Sequence, residues 1–177
     1  MLTAERRERV EGWFAGRLPS DWLTGPAQIG IDREEFVVRL PIPDVELAAD
    51  ASDVTRAEAR AGRARQFRES TRDARMEIAR EAQHRFETTV SWGVVLGQGE
   101  DRYAELWTNV AAPVMTRLRQ PERQVLDALI DGGVARSRSD ALAWCVRLVG
   151  QHESDWLDEL RQAVQSVAEV RSQGPAA

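Results

Sequence analysis

The sequence predicts an α+β protein: an N-terminal unit of short strands and a long helix, then a short extended run, two helices and a C-terminal helix. Three observations carry this. Apolar residues alternate in the windows 28–43 and 90–96; a proline-free stretch rich in alanine and arginine runs from Asp53 to Glu87; and from Pro113 the order of elements changes. The boundaries divide the chain into 1–110, 111–152 and 153–177.

A first helix is read from about Thr3 to Arg17, with Val10, Trp13, Phe14 and Leu18 at helical spacing. In QIGIDREEFVVRLPIP the residues Ile29, Ile31, Phe36 and Val38 alternate around Asp32 to Glu35, the pattern of a hairpin whose second strand ends at Pro41 and Pro43. Asp53 to Glu87 reads as one helix, started by the capping-box spacing of Thr55 and Glu58. Its apolar stripe of Ala57, Ala61, Ala64, Phe67, Ala74, Ile78, Ala82 and Phe86 is thin and built for close packing. The rows Arg56–Arg60–Arg63 and Arg68–Arg72–Arg75 could track a phosphate backbone. The favoured reading is a solvated helix laced with pairs such as Arg65–Glu69 and Glu81–Arg85. Val90, Trp92, Val94 and Leu96 form one face of a strand, glycines turn the chain, and RYAELWTN is a second strand or a short helix.

In the C-terminal third, Val114 to Arg119 is a short extended run stopped by Gln120 and Pro121. Pro121 opens a helix, where its missing N–H costs nothing. Val125, Leu126, Leu129 and Ile130 give that helix an apolar face, and Gly132 and Gly133 end it. Ser137 and Asp140 then have capping-box spacing before Leu142, Cys145, Val146 and Val149. Elements this small cannot bury two helical faces alone, so a second copy is expected to complete the core. In the last helix Trp156, Leu160, Ala163, Val167 and Val170 alternate in spacings of four and three, and SQGPAA reads as a frayed tail.

Composition narrows the function. All 24 cationic residues are arginines, the usage of a GC-rich genome, so their abundance says little and only their placement is informative. The net charge of −5 argues against a protein that coats nucleic acid indiscriminately. Without an apolar block in the first twenty residues or a run of about 18 apolar residues, a cytoplasmic protein is expected. Cys145 is the single cysteine, which excludes an internal disulfide and a cysteine-built zinc site. His84 and His152 lack ligand-spaced partners, GQGED lacks the context of a phosphate loop, and no carboxylate pair stands out. Neither metal, cofactor nor enzymatic activity is expected.

SRSDALAWCVR, with the upstream TRLR and PERQVLDALIDGGV, resembles the strand, first helix and capped second helix of ribbon-helix-helix proteins of the Arc, MetJ and CopG kind. The resemblance covers residues 113–151. It implies a homodimeric, nucleoid-associated DNA-binding protein, a transcriptional regulator, whose two strands pair antiparallel and enter the major groove of double-stranded DNA. With Leu118 inward, Met115, Arg117 and Arg119 would read bases, while Ser137, Arg138 and Ser139 at the helix N-terminus would meet a phosphate. The spacing from Leu118 to Val125 is longer than usual for the family, and a shift of one residue would instead turn Thr116, Leu118 and Gln120 outward. The alternative is a non-catalytic, antitoxin-like interaction module that uses the same fold only to dimerise. In either case the N-terminal unit is left to bind an unknown ligand or partner.

Overall fold

In a computed structural model, which describes residues 4–173 apart from the side chains of 100, 165 and 168–173, the first helical pattern becomes α1 (Ala4–Arg17). Thr3, where its start was expected, lies outside the described residues. Val10, Phe14 and Leu18 are buried on one face, and Trp13 meets Phe14 and Phe86 edge to face at 4.8 and 5.6 Å. Next come the hairpin strands β1 (Gln28–Ile31) and β2 (Glu35–Pro41), with Ile29 opposite Val38 and Ile31 opposite Phe36. Asp32 sets the turn: its Oδ1 accepts from the N–H groups of Glu34 and Glu35 at 2.8 and 2.7 Å.

The helical stretch that follows is broken. It forms α2 (Asp53–Ser70) and α3 (Arg72–Phe86), with Thr71 at φ −100°, ψ 4° between them. The Ser70 and Thr71 hydroxyls both donate to the Phe67 carbonyl, at 3.3 and 2.6 Å, and this side-chain competition for a ladder acceptor favours a bend. Ser52, rather than Thr55, is the N-cap, its Oγ accepting from the Thr55 N–H at 3.2 Å. The crossover returns to β3 (Thr89–Leu96), parallel to β2, and RYAEL becomes the strand β4 (Tyr103–Leu106), antiparallel to β3; the sheet order is β1-β2-β3-β4. Glycine is required at Gly93, where a Cβ would lie 2.5 Å from the Glu105 carbonyl of the neighbouring strand. One core fills the space between helices and sheet, joining Phe14, Phe36, Leu40, Ile78, Trp92, Val94 and Leu96.

Two arginines of the expected solvated rows turn inward, because other segments bring acceptors or an aromatic ring within reach of their guanidinium groups. Arg60 is buried, with Nη2 2.7 Å from Asp44 Oδ2 and Nη1 2.6 Å from the Asp101 carbonyl oxygen. This hydrogen-bonded pairing raises the Arg60 pKa and holds the Asp44 carboxyl below its ordinary range. Arg75 is buried without an ion-pair partner among the described residues. It donates to Thr71 Oγ1 and the Arg68 carbonyl and lies 4.5 Å over the ring of Trp107. Burial, reinforced by Arg68 and Arg72, pushes its pKa down to about 10. Glu81 is taken by Arg17 of α1, in a two-bond contact at 2.7 and 2.6 Å, rather than by Arg85.

The chain divides into two units, Met1–Ala112 and Pro113–Ala177. Near the end of the first, the buried Glu35 accepts from Ser91 Oγ and from the Val110 N–H, fastening the departing chain to the sheet. The second unit holds α4 (Gln120–Asp131), α5 (Arg138–His152) and α6 (Ser154–Gln173). Helix persists to Gln173, through the first two residues of the tail expected from Ser172, and 174–177 lie outside the described residues. Among the described residues no helix is long and apolar enough to cross a membrane.

Candidate nucleic-acid interface

The region from Pro113 to His152 carries six arginines against four carboxylates, in a chain of net charge −5. Its backbone is ordered by three local devices. Pro121 lies in the first turn of α4, where no N–H is needed. Gly133, at φ 74°, takes the left-handed conformation that ends α4. Ser137 caps α5, its Oγ accepting from the Asp140 N–H at 3.2 Å. The reciprocal bond of the capping box lands one residue early: Asp140 Oδ2 accepts from the N–H of Arg136 at 3.1 Å. That backbone bond, with Arg136 and Arg147 nearby, lowers the Asp140 pKa.

A small apolar cluster of Leu126, Ala135 and Ala141, with Leu129, Ile130, Leu142 and Cys145 against it, joins α4 to α5. Leu118 packs on this cluster and so fixes the inward position of the run before α4. The Arg123 guanidinium holds the same point from outside, donating to the Leu118 carbonyl at 2.7 Å. Met115, Arg117 and Arg119 are exposed, as are Thr116 and Gln120. Residues 113–119 pair with no strand in the single chain, and Arg119 is extended at φ −81°, ψ 176°.

At the start of α5, Ser137, Arg138 and Ser139 are exposed together. The N–H groups of Arg138 and Ser139 precede the helix's own acceptors, and the positive end of the helix dipole lies there. The Arg138 side chain is committed elsewhere. It forms a two-bond pair with Asp127 of α4 at 2.7 and 2.8 Å, which raises its own pKa and lowers that of Asp127. Sequence reasoning missed the Asp127 and Arg123 contacts, because they link separate elements and leave no periodic signal. Cys145 is half-buried in the cluster. Among the described residues, no three His, Cys, Asp or Glu side chains are grouped to hold a metal ion.

In the first unit, a groove of about 660 Å³ opens where β2 and β3 end, lined by Thr24, Ala27, Ile42, Val95, Gly97 and Arg102 among others. The carboxyl end of parallel strands is the usual place for a ligand in open α/β sheets.

Fold and surface thus define a two-unit α+β protein, a closed sheet-and-helix unit joined to a small helical unit with a basic edge. The chain belongs to the Rv1265-like family. The family described as Rv1265-like protein, N-terminal domain, matches residues 8–102, and the Mb1296 C-terminal domain matches residues 119–171. Relatives include the uncharacterized proteins Mb1296 of Mycobacterium bovis and Rv1265 of Mycobacterium tuberculosis. Each is 53% identical over 163 residues, covering 92% of this chain and 69% of the relative. No solved structure matches the chain.

Proposed function

We propose that this chain is a homodimeric, sequence-specific DNA-binding protein of the ribbon-helix-helix kind, a transcriptional regulator acting in the cytoplasm on the nucleoid and carrying out no catalytic step. The observation that carries this reading is the placement of Leu118. It packs on the α4–α5 cluster while Arg117 and Arg119 on either side stand in solvent, within a run that is neither helix nor strand in the single chain. Pairing that run with its copy would satisfy its backbone groups and place Met115, Arg117 and Arg119 of both copies on one outward ribbon. Arginine there donates two hydrogen bonds to guanine O6 and N7. The N-terminus of α5, capped by Ser137, offers the Arg138 and Ser139 N–H groups to a phosphate. The Arg138 side chain braces the two helices through Asp127.

The net charge of −5 favours a second reading, in which the same dimer serves only to bring protein partners together. Titrating labelled genomic fragments at several salt concentrations separates the two. A regulator selects particular fragments, with affinity falling steeply as salt rises. Absence of any selected fragment at low salt would overturn the DNA-binding reading.

A further inference from the structure

The apolar seam of α5 does not stop where α5 stops. Leu142, Val146, Val149, Glu153, Trp156, Leu160, Ala163 and Val167 follow one another in spacings of four and three across both helices. Two backbone bonds bridge the joint, the Glu153 N–H donating to the Val149 carbonyl at 2.9 Å and the Leu157 N–H to the Glu153 carbonyl at 3.0 Å, while Glu153 itself leaves the helix at φ −114°, ψ 29° and separates α5 from α6. The seam thus runs over two successive helices, with a single polar residue, the exposed Glu153, at their joint. It is open: Val146, Val149, Trp156, Leu160 and Val167 are each between 47% and 66% exposed, and Val164 beside them 41%. Asp155, Asp158 and Arg161 take the other side of α6, where Arg161 pairs with Asp158.

We infer that α6 is a self-association helix, its seam covered by the same seam of a second copy. Alternating spacings of four and three make a helix face complementary to itself, each side chain entering a gap between four of the partner's. The area agrees with this occupant. The half-exposed side chains of Val146, Val149, Trp156, Leu160, Val164 and Val167 form an apolar face of several hundred Å² per copy, the scale of the roughly 800 Å² per partner that a standard interface buries. The face also follows on from that of α5, which the proposed ribbon dimer would turn toward its copy. A two-fold axis through one contact sets matching surfaces against each other along the whole seam. The inference rests on the ribbon-dimer reading for its starting point and adds α6 to the interface.

Sedimentation equilibrium of the full chain tests it, comparing the wild type with Leu160→Asp/Val167→Asp and with Val146→Asp, helicity being followed by circular dichroism. Positions 160 and 167 are open in the single chain, so the double variant is expected to keep its helicity while self-association weakens at least 100-fold. An unchanged association constant overturns the α6 inference. If Val146→Asp then still breaks the dimer, the ribbon reading stands without it. Conversely, a dimer broken by the double variant and indifferent to Val146→Asp upholds the α6 seam and removes the ribbon dimer. A lower melting temperature of the double variant with unchanged association would mean that the seam is covered from within its own chain, and overturns the inference. A wild type that stays monomeric overturns both readings.

Discussion

The two units solve the problem of burying apolar surface in opposite ways. Among the described residues, the first gathers fourteen buried apolar side chains into one cluster, while the second has three, Leu126, Ala135 and Ala141. Helix content does not explain the difference. The first unit wraps helices around a sheet whose strands are paired along their length, so each apolar face has a partner in the same chain. The second lines up helices whose best apolar residues, Val146, Val149, Trp156 and Leu160, meet solvent. An exposed seam of that size on a small helical unit is the surface that the proposed self-association would cover.

That contrast can be broken most forcefully at Phe14. Phe14→Ala should cost about 3–5 kcal/mol of first-unit stability, since a fully buried ring leaves a cavity in a packed core. Urea unfolding should show the loss in a transition that does not move with protein concentration, whereas the transition of the second unit should. If both transitions shift with concentration, the first unit is not self-sufficient.

A smaller effect is expected at Arg60. Arg60→Gln leaves Asp44 without its cation and should cost about 2 kcal/mol at neutral pH, discounted from the value for a fully buried pair because Asp44 is partly exposed. The sign with pH follows from the depressed pKa of Asp44. Its stabilisation is present above the unfolded carboxylate pKa of 3.8 and disappears as pH falls through the lower folded value. The gap between wild type and variant should therefore be full above about pH 5 and narrow progressively as the pH falls below the unfolded value of 3.8. Urea titrations at matched pH measure it; a gap that does not change with pH would assign the effect to packing of the arginine stem instead.

The proposed ribbon is sharpened by Arg117→Ala and Arg119→Ala. Each should weaken binding to a selected DNA fragment by about 1–2 kcal/mol and binding to random DNA much less, because base contacts carry the discrimination. Competition titrations read both numbers. If neither variant changes site preference while Thr116→Ala abolishes it, the outward face is shifted by one residue. The smallest change is expected from Ser137→Ala. Losing the cap should cost about 1 kcal/mol of second-unit stability and weaken specific and random DNA equally, as removal of a phosphate-facing helix terminus requires. A selective loss on the specific site would place Ser137 among the base-reading groups.

Much of the local architecture was legible before any coordinates. Strict alternation at Ile29, Ile31, Phe36 and Val38 can bury one face only as a strand pair, and the hairpin formed in that register. Pro121, Gly133 and Ser137 act through backbone rules that hold wherever the chain goes, so α4 and α5 began and ended close to where they were expected. Of the two faces the C-terminal pattern left open for Leu118, the inward one is occupied, since Leu118 packs on the α4–α5 cluster. The bend at Thr71 was missed. It depends on whether two hydroxyls turn back to one carbonyl or out to water, which periodicity does not encode.

By itself the sequence determined which residues prefer strand, helix, cap and turn, and that the last helix carries a seam in spacings of four and three. These are properties of a residue and its near neighbours. Only the tertiary structure decided that Arg60 and Arg75 leave the solvated face of their helices, one for two aspartates distant in sequence and the other for a tryptophan ring. It likewise decided that Arg17 takes Glu81, that Arg138 is spent on Asp127, and that β4 rather than a helix pairs with β3. The physical reason is common to the four arginines. An arginine carries a long, adaptable stem and a charge that finds its partner by distance in space, so its fate is set by which segments the fold brings within a few ångströms and not by its place in the chain.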